Sequence, residues 1–503
     1  MTWTQETLAV QAEVRVIRSQ RTGSFLRILP SDCCSFQAGH AEEQIMSETT
    51  FSLAATFEEL LAAKKYNTIR DVLVTMNPSD VAAVMDDMEE KGMPLLFRLL
   101  PKEQAAETFV EMDPELQELL IKSFSDTELK EVLDELYVDD AVDIVEEMPA
   151  NVVKRILQAA DPQMRREINE ILRYPENSAG SLMTTEYVSL RPDMTVADAI
   201  TRIRRTGVDK ETIYTCYVTK DRLLLGLVTV KDLLLAPDDD MLVSDIMETN
   251  VISVDTMTDQ EEVANMLSKY NFLALPVVDT GGRLVGIITF DDAMDVLQEE
   301  ATEDIEIMGG MTPSDKTYLR STPWDLFKHR IPWLLLLMVS ATFTGMIISG
   351  FEDALAAQVV LTAFIPMLMD TGGNSGSQSS VTIIRALSLD ELEFHDLPKV
   401  IWNEIRTAVL AGAVLAAACF VKIMLVDKLL MGNEGVTPLV ALVVCLTLAV
   451  TVLVAKVIGC TLPMFAKRLG FDPAVMASPF ITTAVDAVSL LVYFGIATAL
   501  LHI

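Results

Sequence analysis

Basic residues are scarce in this 503-residue chain, which has 39 lysines and arginines against 73 aspartates and glutamates and a formal net charge of −34. We expect no nucleic-acid partner, because a phosphate-binding face needs the opposite charge. Six cysteines and four histidines form no CxxC pair and no metal-ligand spacing, which argues against a disulfide framework or a zinc site. No nucleophile–base set or phosphate loop is present, so we do not expect an enzyme.

Charged residues are also sparse in the last third of the chain. Residues 330–503 carry 12 acidic and 9 basic residues, whereas residues 1–329 carry 61 and 30. The chain is long enough for several domains and divides into an acidic soluble part and an apolar part. This combination points to cations as ligands.

The first 50 residues show no recognisable signal peptide. We expect them to be a disordered extension, or to result from a start codon assigned too early, with Met46 as the true start.

The next segment is expected to be helical. Residues 51–175 contain seven apolar segments with helical spacing, separated by helix-start signals such as Asn77-Pro78 and Asp113-Pro114. They predict an acidic, superhelical α-helical N-terminal domain.

Residues 180–299 contain an internal repeat, with units at about 180–240 and 245–299. Gly226–Asp232 matches Gly286–Asp292, and each unit reads strand, helix, two strands, helix. The repeat resembles a tandem pair of α/β CBS domains. That resemblance implies an adenine nucleotide such as ATP, contacted by Thr229 and Asp232 or by Thr289 and Asp292. The alternative is that each threonine ends a strand and each aspartate caps the next helix.

The remaining residues predict a membrane protein. Residues 300–329 are expected to form an acidic connecting (plug) helix and its joint, and residues 330–503 a transmembrane domain of five helices. Basic residues in the loops favour soluble domains in the cytosol and a chain in the cell (inner) membrane. The five candidate spans are Ile331–Gly350, Ala354–Met369, Glu404–Val426, Gly435–Ala455 and Pro473–Ile503.

A glycine-rich segment follows the second candidate span, from Pro366 to Ser380. Its proline and glycines are expected to interrupt the helix and free carbonyl groups, which is tolerated at membrane depth where the backbone lines a watery cavity. Carbonyl oxygens, Asn374 and Gln378 are hard ligands that suit Mg²⁺ or its hydration shell. The alternative is a close helix–helix contact through small residues.

Asp486 lies in the otherwise uncharged last span. A carboxylate near mid-membrane costs about 2.5–3.5 kcal/mol on insertion scales. Such a residue marks an ion path, a proton relay or a buried pair. The alternative is a carboxylate satisfied by a partner and without a role in transport.

The domain order and three motifs together resemble the MgtE family of magnesium channels and transporters. The motifs are P-x-x-x-x-x-G-G-N-x-G-x-Q-S from Pro366, I-I-R-A-L at Ile383–Leu387, and D-P-A-V…T-T-x-x-D at Asp472–Asp486. The resemblance implies a homodimer with one pore on the two-fold axis, embedded in membrane lipid. Asp486 from both subunits would face hydrated Mg²⁺, with the wall completed by Pro366, Gly373 and Asn374.

The same resemblance implies regulation by cytosolic Mg²⁺, which would bridge carboxylates between the domains and hold the pore shut. For any single carboxylate, the alternative is a solvated helix face. The positions implied are Asp139, Asp143, Glu261, Asp292, Asp295, Glu300, Glu303, Asp304 and Asp472.

Three positions depart from the family pattern: Asn271, Ser478 and an extra carboxylate at Asp370. Asp370 would either change ion selectivity or face a mouth of the pore. Two other functions stay open, namely transport of another divalent cation (Co²⁺, Mn²⁺ or Ni²⁺) and a non-conducting CBS nucleotide sensor. Membrane His or Cys clusters, which softer metals favour, are missing.

Overall fold

A computed structural model describes residues 53–314, 318, 321–389 and 391–502. The chain forms two compact units, which we call the N-terminal unit (up to Met294) and the membrane unit (from Asp295). The extension predicted for residues 1–50 lies outside the described residues.

Short helices in series fill the first part of the N-terminal unit, as predicted. Prolines in the first turn start several of them, since that turn needs no backbone N–H from the proline. Phe97, Phe109 and Phe124 meet in the core with ring centroids 5.3–6.3 Å apart. The helices are α1 (53–62), α2 (Tyr66–Leu73), α3 (Pro78–Asp86), α4 (Met93–Phe97), α5 (Lys102–Val110), α6 (Pro114–Ser123), α7 (Asp126–Leu133), α8 (Val138–Glu147), α9 (Ala150–Ala159) and α10 (Met164–Ile171).

Two three-stranded sheets with matching topology follow, which confirms the tandem repeat. In each sheet the first strand pairs parallel to the second, and the second pairs antiparallel to the third. The strands are β1 (Tyr187–Leu190), β2 (Thr212–Lys220), β3 (Leu223–Thr229), β4 (Val254–Asp255), β5 (Ala274–Val278) and β6 (Leu284–Thr289). The helices are α11 (Ala179–Leu182), α12 (Val196–Thr206), α13 (Val230–Leu234), α14 (Val243–Ile246) and α15 (Gln260–Tyr270).

The start of each repeat pairs with the sheet of the other repeat. Thr184 bridges to Ile287, and Glu248 bridges to Leu227. This crossing explains the glycine that opens each matched segment (G-h-h-T-x-x-D, where h is apolar). A Cβ at Gly226 would lie 2.6 Å from the Glu248 carbonyl oxygen, and one at Gly286 would lie 2.8 Å from the Thr184 carbonyl oxygen. The two repeats therefore fold as one pair.

One long helix joins the second repeat to the membrane unit. It is α16 (Phe290–Met308), so the connecting helix starts inside the repeat and not at residue 300. Asn271, one of the departures from the family pattern, ends α15 with a left-handed backbone (φ 54°), a conformation that asparagine tolerates well.

The membrane unit consists of long helices. Four stretches among the described residues are long and apolar enough to cross a membrane: Pro323–Gly350, Phe394–Leu430, Pro438–Leu469 and Pro473–Leu501. The helices are α17 (Pro323–Gly350), α18 (Glu352–Ala357), α19 (Ile365–Ser388), α20 (Leu397–Lys422), α21 (Pro438–Leu469) and α22 (Ser478–Leu501).

The predicted second span, Ala354–Met369, is wrong as a single helix. The chain leaves α18 at Gln358 (φ −139°, ψ 75°) and continues as a 3₁₀ turn over Val359–Phe364 before α19 begins. The expected interruption of the helix by Pro366 and the glycines is also wrong. Pro366 lies in the first turn of α19, where its missing N–H costs nothing, and the helix runs unbroken to Ser388.

Candidate functional site

The glycines of α19 serve close packing. A Cβ at Gly373 would lie 3.0 Å from Thr482 Cγ2, and a Cβ at Gly459 of α21 would collide with the Gly376 carbonyl oxygen. Side chains larger than hydrogen would push α19 away from α21 and α22. The small-residue alternative therefore accounts for these glycines.

The exposed face of α19 carries three polar side chains, Asp370, Asn374 and Gln378, which we call the polar stripe. All three side chains are exposed in the single chain. Their four-residue spacing places them on one helix face, and Pro366, also exposed, lies one turn before them. The sequence suggested Asn374 and Gln378 as ligands and Asp370 as an extra carboxylate, but it did not group the three as one stripe, although their four-residue spacing is visible there.

Asp486 lies opposite this stripe on α22. The two helices are antiparallel neighbours, with Gly373 against Thr482 and the Ser380 hydroxyl donating to the Met476 carbonyl oxygen at 2.9 Å. The same antiparallel register, continued by one turn along both helices, places Asp370 level with Asp486, whose side chain is half-buried.

A second group of carboxylates lies in the N-terminal unit. We call Asp139, Asp140, Asp143, Glu211 and Asp292 the acidic cluster. The first three lie on α8, Glu211 precedes β2, and Asp292 lies in the first turn of α16. The sequence identified Asp139, Asp143 and Asp292, but not Asp140 or Glu211.

Burial and mutual repulsion raise the pKa values of the carboxyl groups in the acidic cluster. Burial and the Asp292 charge raise the pKa of Asp139 well above its usual range and that of Asp140 to about 7. Asp143 reaches solvent on one side, but surrounding protein and the Asp292 charge raise its pKa to about 8. Burial and the Asp140 charge raise the pKa of Glu211 to about 8. The cluster is therefore poorly compensated when it is fully ionised.

Two oxygen atoms of the cluster lack a hydrogen-bond partner among the residues that the structure describes. Asp139 Oδ1 and Glu211 Oε2 are buried and accept no hydrogen bond from the part of the chain that the structure describes. Buried carboxylate oxygens of this kind suit a hard cation such as Mg²⁺. No three acidic, histidine or cysteine side chains of the described residues converge closely enough to hold a bare metal ion, so an ion here would act partly through its own water ligands.

The other predicted regulatory residues lie elsewhere. Glu261 lies in the first turn of α15. Asp295, Glu300 and Glu303 follow Asp292 along α16, and no three carboxylates of the described residues converge there as a metal site. Asp304 accepts a hydrogen bond from the Ser388 hydroxyl at 3.1 Å. Burial, and to a smaller extent the nearby Asp472 charge, raise the pKa of Asp304.

The candidate nucleotide residues act as helix caps. Asp232 Oδ2 accepts a hydrogen bond from the Thr229 N–H at 3.1 Å, and the Thr229 hydroxyl accepts one from the Asp232 N–H at 3.2 Å. Thr289 and Asp292 repeat the first of these contacts at 3.4 Å. The capping alternative thus describes the geometry seen at both positions.

The chain matches three family models in succession: the MgtE intracellular N domain over residues 76–177, CBS domains over 179–239 and 243–299, and the MgtE divalent cation transporter domain over 365–496. It is 38% identical to the magnesium transporter MgtE of Thermus thermophilus over 455 residues, which cover 90% of this chain and 99% of the relative. The chain belongs to the MgtE family of magnesium transporters.

Further relatives span the same domains. The magnesium transporter MgtE of Bacillus subtilis is 34% identical over 88% of this chain and 96% of its own. Among solved structures, the cytosolic domain of the Mg²⁺ channel MgtE in complex with ATP is 39% identical, covering 48% of this chain and 99% of that one with a TM-score of 0.46. The family models and the four long apolar helices make this family member a membrane protein with an N domain, a CBS pair and apolar C-terminal helices.

Proposed function

We propose that the chain transports Mg²⁺ across the cell membrane through a pore between two copies of itself. The observation that carries this proposal is the polar stripe facing outward opposite Asp486. Charged and amide side chains at membrane depth cannot face lipid cheaply. A second copy and a water-filled path on the two-fold axis would enclose them.

The chemistry of the stripe favours a hydrated divalent ion. Mg²⁺ sheds water reluctantly and keeps several waters when bound. Asp370 and Asp486 would contribute two carboxylates from each subunit, so four would surround the path in a dimer. Repulsion between them is relieved more by a divalent than by a monovalent cation, while Asn374 and Gln378 accept hydrogen bonds from its water shell.

Cytosolic Mg²⁺ would close this pore by binding the acidic cluster and the carboxylates of α16. A cation that neutralises mutually repelling groups favours the state in which those groups lie closest. The buried oxygens of Asp139 and Glu211, which accept no hydrogen bond from the described residues, support this proposal. The N domain and the CBS pair would then lie in the cytosol.

Another divalent cation is the second candidate substrate, because oxygen ligands alone do not separate Mg²⁺ from Mn²⁺. A nucleotide sensor without conduction is less well supported, since Thr229 and Asp232 already serve as a helix cap. ATP binding in the CBS pair is a separate prediction that does not depend on conduction.

The transport proposal is tested by growth of a bacterium that lacks Mg²⁺ uptake. Wild-type protein should restore growth at low Mg²⁺, and Asp486→Ala should not, at equal amounts of membrane-inserted protein. Asp353→Asn, an exposed carboxylate in the first turn of α18, is the matched control and should restore growth. Full rescue by Asp486→Ala would overturn the pore assignment.

A further inference from the structure

Lys456 is a basic residue within α21 that neither the polar stripe nor the acidic cluster uses. Its side chain is only 8% exposed. A lysine inside a membrane span is costly unless it is paired. The sequence shows it as a lone lysine in an apolar run, which is the signal that could have identified it.

Two side chains from two other helices hold this lysine. Lys456 Nζ lies 3.1 Å from Ser379 Oγ of α19 and 3.5 Å from Glu404 Oε2 of α20. The Ser379 hydroxyl in turn donates a hydrogen bond to Glu404 Oε2 at 2.6 Å. The ion pair therefore has no net charge, and it links α19, α20 and α21 at one level.

Ser379 is the next residue after Gln378 of the polar stripe. Close to it, α19 touches α21 through the backbone of Gly376 and Gly459. A glycine contact allows close approach but offers no side chains that interlock and resist rotation. The hydrogen-bonded serine supplies that resistance, because it has one direction in which it meets both charges.

We propose that Lys456 and Glu404 are positioning residues for the ion path, which hold Ser379 and so fix the rotation of α19 that brings Asp370 level with Asp486 and Asn374 one turn away. This inference rests on the proposed Mg²⁺ path. On this proposal, the buried Lys456–Glu404 pair contributes to the ion selectivity of transport as well as to the stability of the fold.

The test uses full-length protein in liposomes, with Mg²⁺ and Ca²⁺ uptake measured over a range of ion concentrations. Ser379→Ala keeps both charges and removes only the link to α19. We expect the Mg²⁺ concentration for half-maximal uptake to rise, and the preference for Mg²⁺ over Ca²⁺ to fall, by about tenfold, since misplacement by about 1 Å can cost on the order of 100-fold in a positioned site. Thr407→Ala is the control and should match wild type, because among the described residues that hydroxyl bonds only to the carbonyl oxygen of Asn403 on its own helix.

A second variant guards against simple misfolding. Lys456→Met with Glu404→Gln removes both charges together, so neither is left buried without its partner. It should elute as folded protein and show the same loss of Mg²⁺ preference as Ser379→Ala. Combining all three changes should add little, because the three residues act as one unit.

Each outcome decides the matter. Wild-type half-saturation and ion preference in Ser379→Ala, or in the double variant, would overturn the positioning role and leave the pair as a structural contact. Strictly additive effects in the triple variant would do the same. Failure of the wild-type protein to carry Mg²⁺ would instead overturn the proposed function on which the inference rests.

Discussion

Replacing Asp140 by asparagine should stabilise the N-terminal unit at alkaline pH in the absence of Mg²⁺. Burial, with the Asp292 charge, raises the pKa of Asp140 from 3.8 to about 7. A carboxyl whose pKa is raised on folding keeps its proton longer in the folded state. Its contribution to stability is therefore complete below about pH 4 and is lost as the pH rises through about 7.

The size of the effect follows from that difference in pKa. About 3 pH units correspond to about 4 kcal/mol when the group is fully ionised. Because Asp140 is only partly buried and shares its titration with neighbouring carboxylates, we expect about 2 kcal/mol from this residue. In a unit of this size, that is a rise of roughly 4–8 °C in Tm.

The assay is thermal unfolding of full-length protein in detergent, with EDTA or with excess Mg²⁺, between pH 4 and pH 8. With EDTA, Asp140→Asn should match wild type near pH 4 and exceed it increasingly towards pH 8. Stabilisation by Mg²⁺ at pH 8 should be smaller than in wild type, because one ligand charge is gone. Asp71→Asn, an exposed aspartate on α2, should show neither change.

Two results would refute this reasoning. One is a variant no more stable than wild type at pH 8 with EDTA. The other is a gain of equal size at pH 4 and pH 8, which would trace the effect to packing and not to ionisation.

Three further predictions concern the other sites. Asp370→Asn should lower the preference for Mg²⁺ over Na⁺ in liposome flux by about tenfold, equivalent to about 1.4 kcal/mol, and an unchanged preference would place Asp370 outside the path. Neutralising Glu300, Glu303 and Asp304 together should let currents persist at high cytosolic Mg²⁺, and intact inhibition would remove α16 from the sensor. Thr229→Ala should destabilise the CBS pair by about 1 kcal/mol through loss of its helix cap, as thermal unfolding will show, and ATP titration of the same variant tests whether the threonine also binds nucleotide.

The order of domains could be predicted because each leaves a local pattern. Helical spacing with N-terminal prolines predicts α2–α10, and the repeated G-h-h-T-x-x-D predicts two matching sheets. The start of α16 at Phe290, ten residues before the predicted boundary at residue 300, could not be found in this way. The acidic run and the last helix of the second repeat continue the same periodicity, so α16 shows no break.

The membrane unit shows where hydropathy misleads. Ala354–Met369 is uncharged and mostly apolar, yet the chain turns at Gln358. The helix that carries the polar stripe, in contrast, is too rich in glycine and serine to resemble a span. Whether a glycine bends a helix or lets it pack depends on the facing residue, here Gly459 for Gly376, and sequence alone does not identify that residue.

The candidate sites were predicted only in part for a similar reason. Asp139 and Asp143 share a short motif, but Glu211 joins them from a distant segment through the tertiary fold. Lys456 and Glu404 likewise meet across two helices. Contacts between residues far apart in the chain decide which charges become buried, and a single sequence does not report them.

Mg²⁺ flux in liposomes that hold only this protein tests the central claim most directly. The account predicts Mg²⁺ uptake by wild type that falls when Mg²⁺ is present on the side of the soluble domains, and no uptake by Asp486→Ala. Wild-type liposomes that take up no Mg²⁺, or an Asp486→Ala variant that takes it up as wild type does, would contradict it.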